Sequence, residues 1–211
     1  MKQLLYVLIA GVCLSLTSLS AQNANDIVEK AATAYQRSNG IEASFVIRTQ
    51  SPTLAESAEG TIYMKGEKFV LVTPGIRIWY DGTTQWTYME QAGEVNISAP
   101  TGEELQYTNP MLLFSSSKKG FTAVYKGEGT ATNGKAAYTV ELTPKKKGEI
   151  VKAELQLEKH SGMPAHIVVR TKNGIRHTIQ ITGIKSGVNQ PDGFFSFNPA
   201  DYPDAEIIDL R

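Results

Sequence analysis

From residue 41 onward the hydrophobicity of this chain alternates residue by residue, and that period of two constrains the fold more than any other feature. Ala43, Phe45 and Ile47 alternate with Ser44 and Arg48; Ile62 and Met64 alternate with Thr61, Tyr63 and Lys65. Phe69 and Leu71 follow, then Ile76, Ile78 and Tyr80. Asp81-Gly82 is a hairpin signal, with Trp86 and Tyr88 on the strand after it. The pattern resumes at Phe121 and runs through Tyr138, Val140 and Leu142, then Val151, Ala153, Leu155 and Leu157. Ile167 and Val169 lead into Asn173-Gly174, from which His177, Ile179 and Ile181 return. Phe195 and Phe197 are expected to open a last strand. The reading is about ten antiparallel strands joined by short turns.

Helical signals interrupt this pattern at two places. Asp26 and Glu29 have capping-box spacing, Ile27, Ala31, Ala34 and Tyr35 share one face, and Ser38-Asn39-Gly40 ends the segment. Between residues 100 and 118, Thr101 with Glu104 caps one short helix and Asn109-Pro110 starts another, followed by Met111, Leu112, Leu113 and Phe114. A meander with so few helices is expected to form a mainly β (α+β) fold, an unclosed antiparallel barrel or curved sheet. Its concave face needs a cover, and these two segments are the candidates.

Residues 1–21 read as a secretory signal. Lys2 is followed by an apolar run from Leu4 to Leu16 and a small-residue exit at Thr17, Ser18, Ser20 and Ala21. Cleavage is expected after Ala21, with Ser20 as the alternative, leaving one domain over 22–211. The single cysteine, Cys13, lies in the apolar run behind Val12, where an acylation site wants a small residue, so no lipid is expected on it. The mature chain then enters an oxidising compartment without a disulfide, and its core alone must hold the fold.

The motifs, taken in order, resemble the LolA-type family of periplasmic outer-membrane lipoprotein carriers. Gly60-Thr61-Ile62-Tyr63-Met64-Lys65 followed by Phe69 is similar to that family's glycine-led strand pair. The run from Tyr80 through Asp81-Gly82 to Trp86 and Tyr88 resembles its hairpin. Asn109-Pro110-Met111-Leu112-Leu113 looks like its central insertion. Phe195-Ser196-Phe197-Asn198-Pro199 and Ile207-Ile208-Asp209 look like its C-terminal strand. The resemblance implies an open barrel with a helical lid over an apolar cavity, a monomer without cofactor, and acyl chains of lipoproteins as cargo. It also implies an inner-membrane lipoprotein-releasing ABC transporter as donor and an outer-membrane acceptor. The cavity candidates are Phe45, Ile47, Ile62, Met64, Phe69, Leu71, Trp86, Tyr88, Met111, Leu112 and Phe114. Carriers of this family commonly have Arg-Pro where this chain runs Lys65-Gly66-Glu67, and the resemblance implies that this arginine hydrogen-bonds to the lid and latches it shut. Lys65 is the latch candidate here, although its ammonium lacks the planar fork of a guanidinium.

Other function classes find little support. Lys and Arg together equal Asp and Glu at 21 each, so no basic field points to nucleic acid. His160, His166 and His177 are scattered over loop and strand positions, which argues against a metal site. There is no G-x-S-x-G elbow and no P-loop, and adjacent carboxylates such as Glu103-Glu104 diverge, so an enzyme is not expected. Lys145-Lys146-Lys147 reads as a solvated turn, with docking to an acidic surface or anionic headgroups as its functional reading. Two rivals remain: a lipid- or peptide-sensing envelope-stress module, which in that family carries a second domain this chain is too short to hold, and a carrier of another lipid or pigment intermediate.

Overall fold

The computed structural model describes residues 24–109, 111–115 and 120–211. The expected signal segment with Cys13, its cleavage sites at Ser20 and Ala21, Pro110 and the side chain of Phe114 lie outside the described residues. Twelve strands form one sheet: β1 (Ile41–Gln50), β2 (Ala55–Lys65), β3 (Lys68–Thr73), β4 (Ile76–Tyr80), β5 (Gln85–Met89), β6 (Glu94–Ser98), β7 (Phe121–Thr130), β8 (Ala136–Pro144), β9 (Ile150–Glu158), β10 (Pro164–Thr171), β11 (Arg176–Ser186) and β12 (Glu206–Asp209). Helix α1 covers residues 24–36, α2 is Gly102–Thr108 and α3 is Leu112–Ser115.

The strand order is β12-β6-β5-β4-β3-β2-β1-β11-β10-β9-β8-β7, and the end strands do not pair with each other, so the curved sheet stays unclosed. The chain runs outward from β1 to β6 as one meander. It restarts at β7 on the opposite edge and returns as a second meander until β11 pairs antiparallel with β1. The passage from β6 to β7 must therefore cross from one wing to the other. Helices α2 and α3 lie on that crossing, and Leu105, Met111 and Leu113 bury there in the main core.

Each strand of the meander sends one parity inward. Ala43, Phe45, Ile62, Met64 and Phe69 on one wing meet Val140, Leu142, Leu155, Ile167, Ile179 and Ile181 on the other in a single cluster. The outward parity differs between wings. On β2 to β5 it is also apolar, with Tyr63, Val70, Val72, Trp79, Trp86 and Tyr88, so that wing must be covered on both faces. The C-terminal segment does this: Phe195 and Phe197 bury against Val70, Trp79 and Val95, joined by Phe194 and Tyr202. The Trp79 ring lies 5.4 Å from Phe197 and 5.6 Å from Tyr202, both edge-on, the favoured aromatic geometry.

Two sequence expectations change here. Phe195 ends a 3-10 turn (Asp192–Phe195) and Phe197 follows it, so neither opens a strand; their rings cover the sheet instead of joining it. The last strand is β12, which pairs parallel with β6 from Glu206↔Glu94 to Asp209↔Ile97.

Candidate functional site: a covered apolar cavity

The concave face is crossed by one cover at each end. Helix α1 lies at the end marked by the β2–β3 and β9–β10 turns. Its apolar positions Ala24, Ile27, Val28, Ala31 and Tyr35 recur at helical spacing and are buried in the main core. Asn39 at φ 53° and Gly40 at φ 96° end it in left-handed conformations. A Cβ on Gly40 would stand 2.3 Å from the Val188 carbonyl oxygen, so the chain can turn there only with glycine. The Tyr35 hydroxyl donates to the Gly66 carbonyl in the β2–β3 turn. The Lys30 ammonium donates to the Lys159 carbonyl at 2.7 Å, beside the β9–β10 turn. Helix α1 thus bridges the two wings. Burial pushes the Tyr35 phenol well above its ordinary pKa, and the Glu67 carboxylate adds to the shift, so the hydroxyl stays a donor at neutral pH.

The second cover lies toward the other end. Thr101 caps α2 in a full capping box: its N–H donates to Glu104 Oε2 at 2.6 Å, and the Glu104 N–H donates to Thr101 Oγ1 at 3.4 Å. The Thr101 N–H and the Thr101 hydroxyl, both donating to Glu104 Oε2, hold the Glu104 carboxyl below its usual range. Glu103 accepts from the Glu149 N–H at 2.8 Å, which ties α2 to the loop before β9. Asn109 ends α2. Its N–H donates to the Leu105 carbonyl at 2.7 Å, and its Oδ1 accepts from the Met111 N–H at 3.1 Å.

Under this second cover lies a cavity of about 310 Å³. Its walls are Phe45 and Ile47 of β1, Ile62 of β2, Leu71 and Thr73 of β3, Ile78 of β4, Ile167 of β10, and Ile179 and Ile181 of β11. Thr108, Asn109 and Met111 line it from the crossing segment. The register explains the set: Leu71 pairs with Ile78, Ile47 with Ile179, and Phe45 with Ile181, so each pair faces the same side. Phe45 pairs across β1 and β2 with Gly60, where a Cβ would stand 2.5 Å from the Phe45 ring and 2.7 Å from the Val72 carbonyl oxygen. The glycine thereby admits the ring that forms one wall.

Of the sequence candidates, Phe45, Ile47, Ile62, Leu71 and Met111 line the cavity. Met64 and Phe69, 1 % and 0 % exposed, are packed solid beside the β2–β3 turn instead, and Leu112 packs half-buried against the same cluster. Trp86 and Tyr88 belong to the opposite face. Ile78 pairs with Thr87, so the concave parity of β5 is Gln85, Thr87 and Met89, and the two aromatics pack under the C-terminal segment. Lys65 does not reach a lid either. Its register places it on the outward parity, where Nζ donates to the Gln190 carbonyl at 3.0 Å and pairs with Asp192 at 3.4 Å. It tethers the C-terminal segment, and the contact between α1 and the β2–β3 turn is made by Tyr35. Sequence reasoning missed Ile78, Ile167, Ile179 and Ile181 as lining residues, although each falls in the alternating apolar pattern; the signal needed was which strands become neighbours. Among the described residues no helix is long and apolar enough to cross a membrane, and no group of three or more His, Cys, Asp or Glu is placed to hold a metal.

Fold and site together define a β-trough protein with an apolar cavity under helical covers. Residues 14–173 match the family described as outer membrane lipoprotein carrier protein LolA, and the chain belongs to that family. No curated protein sequence matches the chain. An uncharacterized conserved protein from Thermus thermophilus has a similar structure, with TM-score 0.61 and 14 % identity over 89 % of this chain and 99 % of that one. A DUF1329 family protein from Desulfovibrio piger gives 0.51 at 13 %, covering 84 % of this chain and 97 % of that one. A domain provisionally described as an outer membrane lipoprotein-sorting protein, from Vibrio parahaemolyticus, gives 0.50 at 10 %, covering 83 % and 97 %. At these identities the likeness is one of fold alone.

Proposed function

We propose that this chain is a periplasmic carrier that holds the acyl chains of lipoproteins and moves them, as a monomer, from an inner-membrane ABC transporter to an outer-membrane acceptor. The observation that carries the reading is the cavity: nine of its twelve lining residues are apolar, and it lies under the crossing segment, with α1 spanning the other end of the trough. Membership of the lipoprotein carrier family supports it. Each acyl methylene removed from water contributes about 0.8 kcal/mol, so a chain binds without polar recognition and leaves when a more favourable apolar site is offered. No bond is made or broken.

Size gives the mechanism its moving part. A methylene is comparable to a water molecule, whose share of liquid volume is about 30 Å³. At about 310 Å³ the cavity as it stands takes roughly ten carbons, one short chain. Longer or multiple chains need more room. Displacing α1 would open the trough at the Met64 and Phe69 end and extend the space along the sheet. Loading is then release of α1, entry of the chains, and handover by the reverse. Mass spectrometry of material co-purifying with the protein from the native periplasm tests this. Bound lipoprotein is expected; bound peptide or a pigment precursor in its place would reject it.

A further inference from the structure

The cavity holds one polar group that the structure leaves unused. Asn109 is 0 % exposed and lines the cavity, and its Nδ2 has no hydrogen-bond partner among the described residues. The other polar lining residues are committed: the Thr73 hydroxyl donates to the Ile76 carbonyl and the Thr108 hydroxyl to the Glu104 carbonyl, each at 3.4 Å. The orientation of the Asn109 amide follows from its neighbour. The Met111 N–H needs an acceptor, so Oδ1 faces it and the NH₂ group is the free end.

Capping alone does not account for this residue. An ionised aspartate oxygen would accept from the Met111 N–H equally well and would leave no surplus donors. A buried amide without a partner weakens the fold by an amount equivalent to about tenfold in an equilibrium constant. Donors kept at that cost inside an apolar cavity suit a ligand that is apolar along its length and carries a hydrogen-bond acceptor without a charge. A carbonyl oxygen has that chemistry; a charged headgroup, which needs more donors than Asn109 has, does not.

We propose that the Asn109 amide donates to the ester carbonyl of a bound acyl chain and so sets how deep the chain sits. The inference rests on the reading of this cavity as an acyl-chain site. Two probes isolate the carbonyl: 1-decanoylglycerol and 1-O-decylglycerol, which differ only in that group and whose ten-carbon chains fit the present volume. Displacement of an apolar fluorescent dye from the wild-type protein should show the ester binding about tenfold tighter than the ether. The infrared band of the bound, ¹³C-labelled ester carbonyl should lie at lower wavenumber than in apolar solvent. Asn109→Asp, assayed at a pH high enough to ionise the new carboxyl, keeps the acceptor for Met111 and removes the donors; it should abolish both the preference and the band shift. Equal affinities in the wild type, with the band at its position in apolar solvent, would overturn the inference and leave the carrier reading standing. Failure of dye, ester and ether alike to bind would overturn the carrier reading and this inference with it. The wild-type comparison decides the matter even if Asn109→Asp does not fold. The same band shift with a diacylglycerol-modified cysteine peptide, absent with a diacyl phospholipid, assigns the carbonyl to a lipoprotein; the reverse assigns it to a free lipid, and either supports the contact.

Discussion

Removing the Tyr35 hydroxyl is the sharpest test of how α1 is held. Tyr35→Phe keeps the buried ring and deletes the hydrogen bond to the Gly66 carbonyl. A neutral hydrogen bond contributes about 1 kcal/mol net. Gly66 is exposed, so its freed carbonyl turns to water and adds little penalty. The apolar side of α1 outweighs this bond: Ile27 and Val28 alone contribute about 1.5–3 kcal/mol each by burial. The variant should therefore stay folded with α1 docked, while α1 opens about fivefold more often. Native-state hydrogen exchange reads this directly. Amides of residues 27–36 should lose about fivefold in protection while those of β9 and β10 are unchanged. Entry of a palmitoyl probe, which needs the enlarged trough, should speed up by a similar factor, and entry of a decanoyl probe should not. Unchanged α1 protection would show that Tyr35 is core and no fastening, and equal acceleration of both probes would show that α1 does not control the extra space.

Leu71→Glu should abolish binding of an apolar dye, because a carboxylate would sit in the cavity wall, while the protein still melts cooperatively; a variant that fails to fold would place Leu71 in the solid core instead. Phe195→Ala should lower stability by about 3–5 kcal/mol in urea unfolding yet leave dye affinity within twofold of wild type, since the ring packs on the face away from the cavity. Lys65→Ala should leave α1 exchange and the melting midpoint untouched and loosen only residues 190–192, because so exposed a pair is screened by water. Burial lowers the pKa of both His166 and His177 below the usual value of 6.5, so the unfolded chain binds more protons than the folded one below that pH. Stability should then fall as pH drops from about 6.5 through the lowered values, and the double variant His166→Gln/His177→Gln should flatten that slope.

The strands and the open sheet are legible because alternation runs from Ala43 to Tyr88 and again from Phe121 to Ile181, and glycine-bearing turns mark most reversals. Alternation does not say which parity faces inward where both are apolar. On β5 the aromatics Trp86 and Tyr88 look more core-like than Gln85, Thr87 and Met89, yet the register from Ile78 to Thr87 turns them outward. They are buried only because Phe194, Phe195, Phe197 and Tyr202 return from far along the chain to cover them. Lys65 misleads for the same reason: its neighbour Met64 is inward, so its own side chain reaches Asp192. Asn109 reads in sequence as a helix start beside a proline. That its amide is buried and unspent depends on where the crossing from β6 to β7 lands, which no local pattern encodes.

The aromatic segment on the convex side has a consequence for an empty protein. A trough that must sometimes stand without contents loses part of its filling each time it unloads, and a sheet held only from within would tend to fold in on itself. Here the wing from β2 to β6 is braced from behind by Phe195, Phe197 and Tyr202, and its outermost full strand is pinned by β12. The curvature of that wing is therefore independent of whatever lies in the cavity. If the proposed carrier role holds, this half of the trough keeps its shape between loads and is equally ready for a first load and for the next.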